Sequence, residues 1–276
     1  MSVRAGVVGH PISHSLSPVI HGAWIAAAGL EADYVQIDPG SDGFATFVED
    51  QRGGRLRGVN ITIPFKEAAL ALADEASERA RLAGAANLLL FRPDGTVFAD
   101  NTDGLGLLGA LAAQAPGFDP RAGSAVILGA GGAARGAAAA LVLAGAPEVR
   151  IVNRSADRAL ALARDIGPAV VVAEGHTALA DANLIINATS LGLGGGPGPA
   201  IDLAAAPVSA VVMDMVYRPL RTEFLGRAAA RDLRTVDGLE MLIRQAIPSF
   251  EAFFGQVPPT AVDVRALALA AMGETP

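Results

Sequence analysis

The apolar stretch from Ser124 to Leu128, followed at once by Gly129-Ala130-Gly131-Gly132-Ala133-Ala134, restricts the fold more than any other part of the chain. Residues 124–128 show no polar alternation, as expected of a strand buried on both faces in a parallel sheet covered by helices. The glycines form a G-x-G-x-x-A turn, and the alanine-rich run beyond it predicts a helix. Such a turn lets a pyrophosphate approach the backbone at the N-terminus of the following helix. The position between strand and helix, rather than the string itself, predicts a dinucleotide site on an open α/β sheet.

Strand and helix patterns alternate through the rest of the 276 residues, which points to an α/β protein with parallel sheets. Before the glycine turn, strands are expected at 5–8, 34–37, 59–63, 86–91 and 97–99, the last two forming a hairpin at Pro93-Asp94-Gly95. Helices are expected at 19–28, 44–51, 67–73, 75–82 and 105–113. Beyond the turn, strands are expected at 149–152, 169–173, 184–187, 210–215 and 233–236, with helices from Gly238 and at 262–272. Net charge −7 and a pI near 5.1 argue against a general affinity for nucleic acid or an anionic membrane. The absence of cysteine excludes disulfides, thiolate metal sites and cysteine nucleophiles. No apolar run is long enough to span a bilayer, so a soluble cytoplasmic protein is expected.

Lys66 is the only lysine among 21 Lys and Arg residues. A guanidinium holds its proton in a protein, whereas an ammonium can give its proton up when buried or crowded, so Lys66 reads as a proton donor and acceptor. It follows Gly58-Val59-Asn60-Ile61-Thr62-Ile63-Pro64-Phe65, a strand whose Asn60 and Thr62 share one face. Pro64 is expected at the first helical position, with Lys66 in the opening turn. Asp103 is either the N-cap of the next helix or the carboxylate that orients Lys66. Asn87 stands alone as a polar residue at the head of an apolar strand, as turn amide or ligand contact.

Ser17 is expected as N-cap with Pro18 at the first helical position, so Ser15 and Ser17 meet a helix N-terminus suited to a carboxylate. His10, His14 and His21 do not make a metal site, because Pro11 and Pro18 break any helix that could align them and no carboxylate completes the set. His14 is read as a hydrogen-bonding loop residue and Trp24 as packing. After the strand at 149–152, Asn153-Arg154-Ser155 stands where an NAD-binding protein places an acid. Arg154, with Arg158 a turn later, suits a 2′-phosphate, so NADP is preferred to NAD. Asn187-Ala188-Thr189-Ser190 opens a cofactor-side loop through residues 192–199. Tyr217 and Gln245 are candidate ligand contacts, and Leu239, Leu242, Ala246, Phe250 and Phe253 form a core stripe.

Taken in order, His14-Ser15-x-Ser17-Pro18, Asn60-x-Thr62-x-Pro64-x-Lys66, Asn87, Asn101-Thr102-Asp103-Gly104, residues 129–133, Asn153-Arg154-Ser155, residues 187–190, Asp214-x-x-Tyr217-x-Pro219-x-x-Thr222 and Gly238 with Gln245-Ala246 resemble the shikimate dehydrogenase family. Five of the six asparagines fall in these pieces. The resemblance implies an α/β substrate-binding domain over 1–103, rejoined by helices at 238–276, and a Rossmann NADP-binding domain over 104–237. It implies reversible NADPH-dependent reduction of 3-dehydroshikimate to shikimate, in chorismate and aromatic amino-acid biosynthesis. Lys66 and Asp103 would be the catalytic pair. Ser15, Ser17 and Tyr217 would hold the carboxylate, and Thr62, Asn87, Asp103 and Gln245 the ring hydroxyls. Gly129, Ala130, Gly131, Gly132 and Ala133 would carry NADP, with Asn153, Arg154, Ser155 and Arg158 around its 2′-phosphate. Thr189, Met215, Gly238 and Met241 complete the implied cofactor contacts.

His10, Leu16, Gly22 and Glu240 depart from the family's usual Asn, Lys, Asn and Gly, and none carries the implied chemistry. Ser17 in place of Thr favours shikimate over quinate by family analogy. Rival readings are a quinate or dual-specificity dehydrogenase, an unrelated two-domain NADP oxidoreductase and a non-catalytic NADP-binding regulator. No nucleic-acid or membrane partner is expected, and the choice between monomer and homodimer stays open.

Overall fold

In the computed structural model, which describes residues 2–274, contacts separate Met1–Thr102 with Gln245–Pro276 from Asp103–Arg244. The first unit contains β1 (Val3–Val8), α1 (Ser17–Ala27), β2 (Ala32–Ile37), α2 (Phe44–Gln51), β3 (Gly58–Ile61), α3 (Lys66–Ala71), β4 (Glu75–Ala76), α4 (Glu78–Ala83), β5 (Leu88–Phe91) and β6 (Val97–Asp100). Its sheet runs β2-β1-β3-β5-β6-β4. β1 pairs in parallel with β2 and β3, but β5 is antiparallel to both β3 and β6. The sheet is therefore parallel-rich but mixed, because the expected hairpin at Pro93-Asp94-Gly95 reverses the chain inside it. Gly58 allows a close approach to the hairpin, since a Cβ there would lie 2.4 Å from the Leu89 carbonyl oxygen. One face of the sheet packs Val8, Val48, Val59, Leu89 and Phe91 with the stacked rings of Phe44 and Phe65.

Four local expectations in this unit are corrected. β3 ends at Ile61, so Thr62 lies beyond the strand rather than on its face. Phe65 is the N-cap of α3 and Lys66 its first residue, which puts Pro64 before the helix instead of at its first position. Glu75 and Ala76 pair in parallel with Phe98 and Ala99 rather than starting a helix, and Ser77 caps α4 through the Ala80 amide. In α1 the N-cap is Leu16, and Ser17 is already helical, with Pro18 behind it.

The second unit follows a single repeating plan. α5 (Asp103–Gln114) precedes β7 (Ser124–Leu128), α6 (Gly132–Leu143), β8 (Val149–Val152), α7 (Ala156–Ile166), β9 (Val170–Val172), β10 (Ala182–Asn187), β11 (Val211–Asp214), α8 (Glu223–Ala229), β12 (Arg234–Val236) and α9 (Gly238–Phe254). All pairings in the order β12-β11-β10-β7-β8-β9 are parallel. The strand order reverses between β7 and β10, which is where open sheets of this kind bind ligands. Small side chains make the layers close: Ala134, Ala137 and Ala138 of α6 are fully buried, and Gly104 of α5 lies against the Ala140 methyl. The unit boundary falls within α9, and α10 (Val264–Met272) packs against α1 in the first unit. No helix of the described residues is long and apolar enough to cross a membrane.

Candidate active site

In the first unit, the loop into α1 is tied down by backbone and neighbouring side chains. The Ser15 hydroxyl accepts from the Ser17 amide at 3.3 Å, and Gln36 Nε2 donates to the Ser13 and Ser15 carbonyls at 3.4 and 3.1 Å. His10 Nδ1 meets Asp38 Oδ1 at 2.8 Å, and the Gly40 amide and His10 together lower the Asp38 carboxyl below its ordinary range. His14, expected to order this loop, is exposed and makes no side-chain hydrogen bond with the described residues. Gln36 does that work. Thr62 is set beside the loop because Gly9 lacks a side chain: a Cβ there would lie 2.4 Å from Thr62 Cγ2. Lys66 follows at the start of α3, half-buried.

A buried polar cluster lies deeper in this unit. Asn87 Nδ2 donates to Thr102 Oγ1 at 3.0 Å and to Gln245 Oε1 at 3.2 Å, while its Oδ1 accepts from the Thr102 amide at 2.7 Å. Asn60 Nδ2 donates to the Asn87 carbonyl at 3.2 Å and to Ser249 Oγ at 2.8 Å. The Tyr34 hydroxyl donates to Asn60 Oδ1 at 2.8 Å. All are less than a tenth exposed, so their bonds are protected from water. The sequence pattern points to Asn87 and Gln245 as contacts but assigns nothing to Tyr34 or Ser249. Ser249 stands four residues after Gln245, a polar interruption between Ala246 and Phe250, and that break in the apolar stripe is the signal that could have found it.

His21 lies at the back of this cluster. Its ring stacks on Tyr34 at 4.0 Å and 3° and meets Trp24 edge-on, and neither ring nitrogen has a hydrogen-bond partner among the described residues. Burial lowers its pKa from 6.5 to about 3, so it is a neutral ring in the folded protein near neutral pH.

In the second unit, Gly129 has φ +115°, a backbone conformation that favours glycine, and a Cβ there would crowd the Ala188 carbonyl and Thr189 Cγ2 at 3.1 Å. Around Gly131, by contrast, a Cβ would meet no heavy atom within 4 Å, which leaves open space in front of α6. A pyrophosphate fits such a cradle, with Gly132 and Ala133 amides in the first helical turn. At the end of β8, Asn153 Nδ2 donates to the Ser155 carbonyl at 2.9 Å, and Ser155 stands at the N-cap position of α7 without a side-chain capping bond. Arg154 and Arg158 are exposed and form no ion pair with the described residues. Two unpaired cations at a helix N-terminus oppose the helix dipole, and a phosphate between them removes the conflict. The residues present therefore fit a phosphorylated dinucleotide.

Asp214, at the end of β11, organises the remaining candidates. It accepts from Asn187 Nδ2 at 2.9 Å, the Val216 amide at 2.9 Å and Thr222 Oγ1 at 2.6 Å. Burial raises its pKa, and these donors oppose the rise. Asn187 in turn holds Thr189 through both its amide and its hydroxyl, at 3.0 and 2.7 Å. One carboxylate thus fixes both the loop carrying Thr189 and the turn carrying Met215 and Tyr217. Gly238 fits against that turn, since a Cβ would lie 2.6 Å from the Met215 carbonyl oxygen. Met241 is buried one helical turn further along α9, and Asp103 is buried at the first position of α5.

An open parallel sheet with a glycine turn at its switch point and unpaired arginines after the next strand, in a chain that also carries a unit built around buried amides and hydroxyls, defines a two-unit α/β protein of the dinucleotide-binding class. Sequence profiles described as the shikimate dehydrogenase substrate binding domain, shikimate / quinate 5-dehydrogenase and the shikimate 5'-dehydrogenase C-terminal domain match residues 7–89, 111–192 and 238–268. The chain belongs to the shikimate dehydrogenase family. A shikimate dehydrogenase (NADP(+)) of Caulobacter vibrioides is 64% identical over 99% of this chain and 97% of its own length. One from Dinoroseobacter shibae is 49% identical over 96% and 97%. Among solved structures, the Thermus thermophilus shikimate 5-dehydrogenase in complex with NADP(H) and shikimate has a TM-score of 0.86 at 38% identity, covering 98% of each chain. The quinate dehydrogenase of Corynebacterium glutamicum, in complex with NAD, also has a TM-score of 0.86, at 32% identity over 99% of each chain.

Proposed function

We propose that the chain is a cytoplasmic enzyme that catalyses the reversible NADPH-dependent reduction of 3-dehydroshikimate to shikimate, in the route to chorismate and the aromatic amino acids. The observation that carries this reading is the buried Asn87–Thr102–Gln245 cluster, in a chain 64% identical to a named shikimate dehydrogenase (NADP(+)) over nearly its whole length. A polyhydroxylated ring presents neutral donors and acceptors, and these amides and hydroxyls are held in place to meet them.

Residues 1–103 with 238–276 serve as the substrate domain and 104–237 as the NADP domain in this reading. NADPH, when bound, supplies the hydride. Lys66 Nζ gives a proton to the substrate oxygen as negative charge develops on it, and Asp103 orients Lys66 and a neighbouring ring hydroxyl. Ser15, Ser17 and Tyr217 hold the carboxylate, while Thr62, Asn87 and Gln245 hold hydroxyls. The amides of residues 129–133 receive the pyrophosphate. Asn153, Arg154, Ser155 and Arg158 surround the 2′-phosphate, and Thr189, Met215, Gly238 and Met241 line the nicotinamide end. The molecule works as a monomer or a homodimer.

The test is the appearance of reduced nicotinamide when purified protein is given shikimate, with NADP and NAD in parallel and quinate as the competing substrate. Turnover with shikimate and NADP is expected. Oxidation of quinate alone would overturn the substrate assignment, and no oxidation of either would favour a binding protein without catalysis.

A further inference from the structure

The Tyr34 hydroxyl belongs to a chain of buried hydrogen bonds whose direction can be worked out. The Asn87 carbonyl can only accept, so the Asn60 amide presents its NH₂ to it and to Ser249 Oγ. That choice turns Asn60 Oδ1 toward Tyr34, whose hydroxyl donates to it at 2.8 Å. At the far end Ser249 donates to the Gln245 carbonyl at 3.1 Å. The donors thus run one way from Tyr34 through Asn60 and Ser249 to Gln245. Turning the Tyr34 hydroxyl away would take this donor from the buried Asn60 Oδ1.

The ring is held as firmly as its hydroxyl. His21 follows Ser17 by one helical turn and stacks flat on Tyr34, while Phe253 meets Tyr34 from another side at 6.2 Å. Since neither His21 nitrogen is hydrogen-bonded among the described residues, His21 serves here as a flat surface.

We propose that Tyr34 is a positioning residue for substrate binding, fixing the Asn60 amide that holds the Asn87 carbonyl and Ser249 behind the Asn87–Gln245 pair at the hydroxyl end. The inference rests on the reading of Asn87 and Gln245 as substrate ligands. Tyr34 spends its hydroxyl on Asn60, so it acts through that amide. Its effect falls on binding of the substrate's polar groups rather than on the proton transfer at Lys66, which makes it a matter of KM.

Tyr34→Phe removes the hydroxyl and keeps the stacked ring. The KM for shikimate is expected to rise about tenfold, with kcat and the KM for NADP within about twofold of wild type. Ser249→Ala is expected to give a smaller rise of the same kind. The double variant should fall short of the product of the two, because both act through Asn60. His21→Phe keeps a flat ring and should leave the shikimate KM unchanged. A Tyr34→Phe enzyme that melts earlier but binds shikimate with the wild-type KM overturns the inference. If that variant does not fold, Ser249→Ala decides on the same readout. Absence of shikimate turnover in the wild type would overturn the functional reading and this inference with it, whereas wild-type turnover with unchanged KM in the variants overturns the inference alone.

Discussion

Lys66 occupies the first position of α3, where cationic charge is disfavoured by the helix dipole and an anion would be welcome. In a chain that uses arginine at every other basic site, the lysine there calls for a reason that charge alone does not supply. Proton transfer is that reason under the proposed reaction. Lys66→Ala is expected to lower kcat by about 10²–10⁴ with little change in shikimate affinity, measured by steady-state kinetics and by calorimetry. Lys66→Arg should fail as well, since it keeps the charge and withholds the proton. Normal turnover in the arginine variant would remove Lys66 from the mechanism. His21 makes a different residue-scale prediction. Its pKa falls from 6.5 in the unfolded chain to about 3 in the fold, so the unfolded state binds the extra proton between these values and stability drops as pH falls through that window. Tyr34 is the only titratable side chain stacked on it, and its phenol, raised by burial, stays neutral there. Between pH 7 and about pH 4.5, wild type should lose about 2.5 kcal/mol more than His21→Phe in urea unfolding. Parallel pH profiles would show that His21 titrates in the fold as it does in the unfolded chain.

At the level of elements, α5 and α6 touch because both present small residues. A Cβ on Gly104 would lie 2.4 Å from the Ala140 Cβ, and a methyl group on a helix backbone has no rotamer by which to yield. Gly104→Ala is expected to destabilise the second unit by roughly 1–3 kcal/mol, despite the better helix propensity of alanine, as the helices are forced apart. Thermal unfolding would check this, and a stabilised variant would show that the α5–α6 contact is soft. The same contrast between local and distant causes explains which elements could be read from sequence. β7, the glycine turn and α6 follow from residues adjacent in the chain, so the pattern alone defines them. Helix α2 is legible for the same reason. Glu75 and Ala76 read as helical because nothing local says otherwise, and only pairing with Phe98 and Ala99 makes them a strand. Ser17 and Pro64 carry sound cap and first-turn chemistry, yet the chain enters both helices one or two residues away from where that chemistry points. In the site, Lys66, Asn87 and the glycines stand out by rarity or motif. Tyr34 and Ser249 do not, because their meaning lies in Asn60, a partner 26 residues from one and 189 from the other.

For the molecule as a whole, a net charge of −7 sets the terms on which an anionic cofactor can bind. Its long-range field repels a dinucleotide carrying an additional phosphate, so discrimination in favour of that phosphate must come from a few short-range contacts. The second unit offers Arg154 and Arg158, both exposed and without an acidic partner among the described residues, directly after the strand next to the glycine turn. Most other arginines around them are already spent: Arg135 on Asp165, Arg150 on Asp181 and Glu148, and Arg164 on Asp165. Arg154→Gln should therefore raise the KM for NADP by about tenfold, the low end for a charge-assisted contact because the site is open to solvent. The KM for NAD should be unchanged, since NAD brings no phosphate to that position. Raising the salt concentration should weaken NADP binding in wild type and have less effect in Arg154→Gln with Arg158→Gln, where the two cofactors should become nearly equivalent. Equal losses for NAD and NADP would mean that Arg154 supports the shape of the turn after β8, and the preference for NADP would then have to arise from the glycine turn and the amides of α6.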